Sequence, residues 1–195
     1  MERGDSVKQN LSPSADRNMT ALGFSLVGIC IFLGVIISFR TAGGIFAEAA
    51  ALISRLSFED AAFAESFKRA AGGDFAFCIA VLVLAAAFPV SVLPGGFLLF
   101  KGFCLGATAG LAAKTCVTKE AVGIFFAIFI SNFLVLPLKV LLFLSSVNFS
   151  LRTCTLCPGD KLREYIGFTL KVLIFFVLMC LSECIQLGIG VGVLS

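Results

Sequence analysis

Between Arg17 and Arg40 the chain runs from Ala21 to Phe39 without a single charged residue. About 20 apolar residues in a helix cross the roughly 30 Å hydrocarbon core of a bilayer. With no water there to satisfy the backbone, a helix is the form such a run must take. The run exceeds the roughly 7 to 15 apolar residues of a signal-peptide core, and no clear small-x-small cleavage site follows, so it reads as a retained span. Ahead of it, the polar stretch Met1 to Asn18 carries Arg3, Lys8, Pro13 and Arg17. Residues 1–20 are therefore expected to form a flexible cytoplasmic tail, followed by a membrane domain over 21–195.

The first run is one of several. Of 195 residues, 59% are hydrophobic and 14% charged, against about 25% charged in a soluble domain. A soluble globule of this size could not hide so much apolar surface, so lipid is the expected solvent and the bilayer the first partner. The 15 Lys and Arg are scattered among 12 acids, which leaves no basic stripe for nucleic acid. The expected fold class is all-α, a polytopic membrane helix bundle of about five transmembrane helices. Its spans are placed at about 21–39, 75–90, 96–113, 121–147 and 165–192.

Between the first two spans the pattern changes. Phe46, Ala49, Ile53, Leu56, Phe63, Phe67 and Ala70 recur at three- to four-residue steps, with Glu48, Arg55, Glu59, Glu65 and Lys68 between them. That spacing predicts an amphipathic helix over about 44–71, bounded by Gly43-Gly44 and Gly72-Gly73. It reads as an extracytoplasmic helix lying in the interface plane; a solvated helical loop is the alternative. Pro89, Pro94, Gly95 and Gly96 then predict a hairpin between the second and third spans.

Span three carries Lys101 and the small residues Gly102, Gly106 and Gly110 at i, i+4 and i+8. A small-xxx-small stripe lets two helices approach closely, and packing is the preferred reading over a pathway for a permeant molecule. In span four, Asn132, Pro137 and Lys139 predict either a strong kink or two half-helices joined at Leu136-Pro137. Counting Lys and Arg in the short segments gives nearly equal totals on the two sides, so the positive-inside rule separates the orientations only weakly.

Ionised groups inside hydrocarbon persist when paired or near water, which singles out Lys101, Lys139, Lys171 and Glu183. Lys101 lies close enough to the hairpin for its ammonium to snorkel to the interface. Lys139 sits two residues past Pro137, near Asn132, in the makings of an internal polar site. Glu183 reads as the one acid well inside a span and is expected to pair with a lysine of another span. Lys171 and Glu183, 12 residues apart, are separated by roughly 18 Å of helix and cannot meet within it.

Of eight cysteines, Cys30, Cys78, Cys104, Cys116, Cys180 and Cys184 fall in or at the end of spans, where Cys acts as a small apolar residue. Cys154 and Cys157 alone have ligand spacing, and with no histidine in the chain a reduced loop is preferred over zinc. The same lack of histidine removes a conventional triad or imidazole base, and no GxxxxGK[ST] loop occurs. The expectation is a non-enzyme without metal or cofactor.

The stretch Pro94-Gly-Gly-Phe-Leu-Leu-Phe-Lys101-Gly102-Phe-Cys-Leu-Gly106 resembles the central segment of the stage II sporulation protein M family, where an apolar run reaches a Lys-Gly-hydrophobic-small-hydrophobic-Gly motif. Ala121 to Pro137, with Asn132 ahead of the proline, is similar to that family's next helix, and Glu183 falls where the family places a glutamate deep in its last helix. The sequence after it, Cys184-Ile-Gln-Leu-Gly188, lacks the aromatic and proline of the family pattern. The resemblance covers roughly residues 20 to 190. It implies a multi-pass cell-membrane scaffold of endospore-forming bacteria that acts in forespore engulfment with stage II sporulation proteins D and P, the partners carrying the wall-degrading chemistry. The residues taken alone leave a second class open, a small permease or channel using Lys101, Asn132, Pro137 and Lys139.

Overall fold

The computed structural model describes residues 13–40, 63–86, 90–115, 119–154 and 158–194, and side chains within these except at 13–16, 63–66, 112–131, 133, 158–159 and beyond 185. The described chain is all-helical. Its helices are α1 (Pro13–Arg40), α2 (Phe63–Leu84), α3 (Leu93–Thr115), α4 (Lys119–Cys154) and α5 (Pro158–Leu194), with a short 3-10 turn at Val90–Val92 leading into α3. Four of them hold a stretch long and apolar enough to cross a membrane: Arg17–Arg40, Val90–Leu111, Leu134–Cys154 and Asp160–Ile185.

The outward faces are what a lipid solvent requires. On α1, Leu22, Ile29, Phe32 and Phe39 are exposed, and on α5 so are Ile166, Leu170, Leu173 and Leu181. Apolar faces of that extent on a water-soluble monomer would drive association.

α4 is the central helix. Its Val135, Val140, Leu142 and Phe149 pack with Phe77 and Val81 of α2, Leu98 of α3, and Phe168 and Met179 of α5 in one buried cluster. α5 lies against α4 and α2, while α1 packs chiefly on α3. Phe149 stacks on Phe168 at 4.5 Å and nearly parallel, with Tyr165 5.9 Å away.

The Tyr165 hydroxyl donates to the Leu82 carbonyl at 3.2 Å. At the end of α2 the ladder tightens, Ala86 N–H donating to Val83 and thereby freeing Leu82, whose carbonyl needs another donor. Tyr165 supplies it from α5.

One sequence expectation changes here and another is narrowed. Gly72-Gly73 does not end a helix: α2 runs through both residues to Leu84, because the cost of a helical glycine, about 1 kcal/mol, is outweighed by the packing of the buried face from Phe77 to Ala85 that follows. Span four is a single helix with Pro137 inside it, not two half-helices. The interfacial helix expected over 44–71 lies mostly outside the described residues, as do Pro89 of the hairpin and Cys157 of the CxxC pair.

The small-residue stripe faces α1. A Cβ on Gly106 would collide with the Ile31 carbonyl, one on Gly102 would press on Val27, and one on Gly110 on Ser38. From the other side, Gly34 of α1 meets the backbone from Phe103 to Ala107. The Ser38 hydroxyl at this seam is satisfied by the Val35 carbonyl at 2.7 Å, so it enters the contact without a stranded polar group.

Candidate intramembrane charge site

Among the described residues, the most buried charged side chains lie on neighbouring helices. Asp74 of α2 is 2% exposed and Lys139 of α4 3% exposed, and the Lys139 ammonium contacts Asp74 Oδ1 directly as an ion pair. The same ammonium lies over the Phe77 ring, 5.8 Å from its centroid, a cation–π contact that partly replaces lost hydration.

Asp74 falls on the inward face of α2 because Asp74, Phe77, Cys78, Val81 and Ala85 follow the three- and four-residue spacing of one helix face, and all five are buried. Eight residues, about 12 Å of helix, separate Asp74 from Leu82, whose carbonyl accepts from Tyr165.

Two more charges share this neighbourhood. Lys101 of α3 is half-buried, and Lys139, Asp74 and Glu183 act on it electrostatically. Glu183 of α5 is also half-buried and interacts with Asp74, Lys101 and Lys139. Four helices thus each contribute one ionisable side chain, two acids and two bases. Cys78 lies beside Asp74 and Lys139.

The sequence reading named three of the four. Lys101 is half-buried on α3, and the charges that act on it include Lys139, Asp74 and Glu183. Lys139 has a direct carboxylate partner, but that partner is Asp74. Glu183 acts on Lys101 and Lys139 through space, while the direct contact expected of it belongs to Asp74. Asp74 was missed because the glycines before it placed it in the loop; the buried spacing from Asp74 to Ala85 was the signal that could have found it.

The remaining candidates sit apart from this contact. Asn132 is half-buried on α4 and has a partner. Pro137, two residues ahead of Lys139, lacks the N–H that would bond the Phe133 carbonyl in a regular helix. Gly102 and Gly106 belong to the α1–α3 seam, and Lys171 is exposed on α5. Among the described residues no group of three metal-ligating side chains occurs.

One further feature bears on what the site can do. Asp74 Oδ2 is buried and, among the described residues, has no hydrogen-bond partner. A carboxylate accepts at both oxygens, so this site holds an open acceptor beside a buried ammonium. Compared with known proteins, the chain matches no family model, no curated protein and no solved structure.

Proposed function

We propose that the chain is a multi-pass scaffold of the cell membrane without catalytic activity, in which α2 makes a fifth crossing. The observation that carries this reading is the Asp74–Lys139 ion pair. Its charges are spent on each other between α2 and α4, and removing either partner would strand a buried ion. Such a contact fixes the relative position of helices, which is what a platform for other proteins needs. At 22 residues α2 is about 33 Å long, enough to cross, and its central acid is neutralised by a lysine of a neighbouring span.

The biological setting follows from the resemblance to the stage II sporulation protein M family: forespore engulfment, with stage II sporulation proteins D and P as partners recruited through the extracytoplasmic surface. The test is affinity purification of the full chain in mild detergent from sporulating cells, alongside solute-flux measurements on the reconstituted protein. Co-purification of wall hydrolases or sporulation proteins is the expected result. A solute flux with no such partner would overturn the scaffold.

That second outcome describes a small permease. The observation favouring it is the open Asp74 Oδ2, an unfilled acceptor buried between α2 and the proline-containing α4.

A further inference from the structure

We infer that the outward face of α5 around Lys171 docks a transmembrane helix of another protein, one that carries a carboxylate within its apolar run. The site lies inside the membrane and stands whichever proteins the scaffold recruits, so it goes beyond that reading. Lys171 falls within the apolar span Asp160–Ile185, yet it is exposed, on a different face from the buried Phe168, Val172 and Met179. Among the described residues no carboxylate is in contact with it.

The chain itself shows what an intramembrane lysine takes. Lys139 of α4 is buried against the Asp74 carboxylate, the pairing expected of an ammonium in hydrocarbon. Lys171 has the same chemistry and no such neighbour. Snorkelling carries its ammonium only part of the way out. The nearest preceding charge on α5 is Glu164, seven residues back, about 10.5 Å along the helix. A lysine stem covers roughly the turn before its own Cα, about 5.4 Å, which leaves the ammonium near Gly167, within the uncharged stretch Tyr165 to Leu170.

The surface around it has the form of a helix-packing seam. Gly167, Lys171, Ile174, Leu178, Leu181 and Ile185 follow alternating four- and three-residue steps, the spacing that keeps one row of side chains facing a neighbouring helix, and all six are exposed. A Cβ on Gly167 would meet nothing within 4 Å, so a second helix has room to come close one turn from Lys171. Charge then selects the occupant. Two copies of this chain meeting here about a two-fold axis along the membrane normal would set Lys171 against Lys171, and like charges at close range disfavour each other. A purely apolar helix would leave the ammonium unpaired. An Asp or Glu in the apolar run of a partner helix neutralises it, as Asp74 neutralises Lys139.

The test is photocrosslinking of the full chain in its native cells, with a photoreactive diazirine side chain in place of Leu178, about two turns along the same face, and sequencing of the captured peptide by mass spectrometry. The expected adduct is with an apolar transmembrane segment containing Asp or Glu. Lys171→Met should abolish it and Lys171→Arg should retain it, with the fold of both variants, checked by circular dichroism, unchanged because the side chain is exposed. An adduct with lipid alone, with a second copy of this chain, or with a segment lacking an acid would overturn the proposal. So would an adduct that persists in Lys171→Met.

Discussion

Asp74 and Lys139 meet oxygen to nitrogen between α2 and α4, with both side chains almost completely withdrawn from solvent. The pair reports more on specificity than on net stability, since desolvating two charges offsets much of their attraction, while an unpaired survivor is heavily penalised. Asp74→Ala should therefore destabilise the bundle by about 3–5 kcal/mol. The double variant Asp74→Leu/Lys139→Met should recover most of that loss. Reversible unfolding in mixed micelles measures both, and two equal losses would show that Lys139 has another partner.

The α1–α3 seam makes a prediction with an internal control. A methyl at Gly106 meets the backbone of Ile31, which cannot rotate aside, whereas one at Gly28 or Gly96 meets nothing within 4 Å. Gly106→Ala should cost about 1–3 kcal/mol through overpacking, and Gly28→Ala and Gly96→Ala should stay within about 0.5 kcal/mol. Thermal melts in one detergent compare the three directly.

Tyr165→Phe removes the hydroxyl that satisfies Leu82 and little else. The expected loss is about 1 kcal/mol, with faster amide exchange at the tightened end of α2. Unchanged exchange at Val83 to Ala86 would show that another donor takes over.

The crossing of α2 decides whether the two ends of the chain share a side. Reporters fused after Asn18 and after Ser195 should read opposite faces of the membrane. Signals from the same face would leave four crossings and place α2 on the surface.

Much of the helical plan is legible in the sequence because lipid allows few alternatives to a helix. Runs such as Ala21–Phe39 announce themselves by the absence of charge, and the stripe from Gly102 to Gly110 announces a close contact, though not that α1 is what it touches. Local rules misread Gly72-Gly73 as punctuation, since glycine weakens a helix by only about 1 kcal/mol and the packing of the face that follows decides whether the helix continues. That reading pushed Asp74 into a loop and hid the acid that Lys139 required. Glu183 was visible as a buried charge, but whether it touches a lysine or only feels one depends on helix offsets that spacing along one chain does not encode.

The seam between α1 and α3 also bears on how the protein is made. The partner of α1 begins at Leu93, more than fifty residues after α1 ends at Arg40, so during synthesis α1 enters the bilayer well before the surface it fits exists. Its apolar faces suit lipid while it waits. The glycine notch then lets a newly arrived α3 dock by shape alone. Assembly of the first helix is thus a lateral search in the membrane plane, and a chain cut before Leu93 would leave α1 inserted but unmoored.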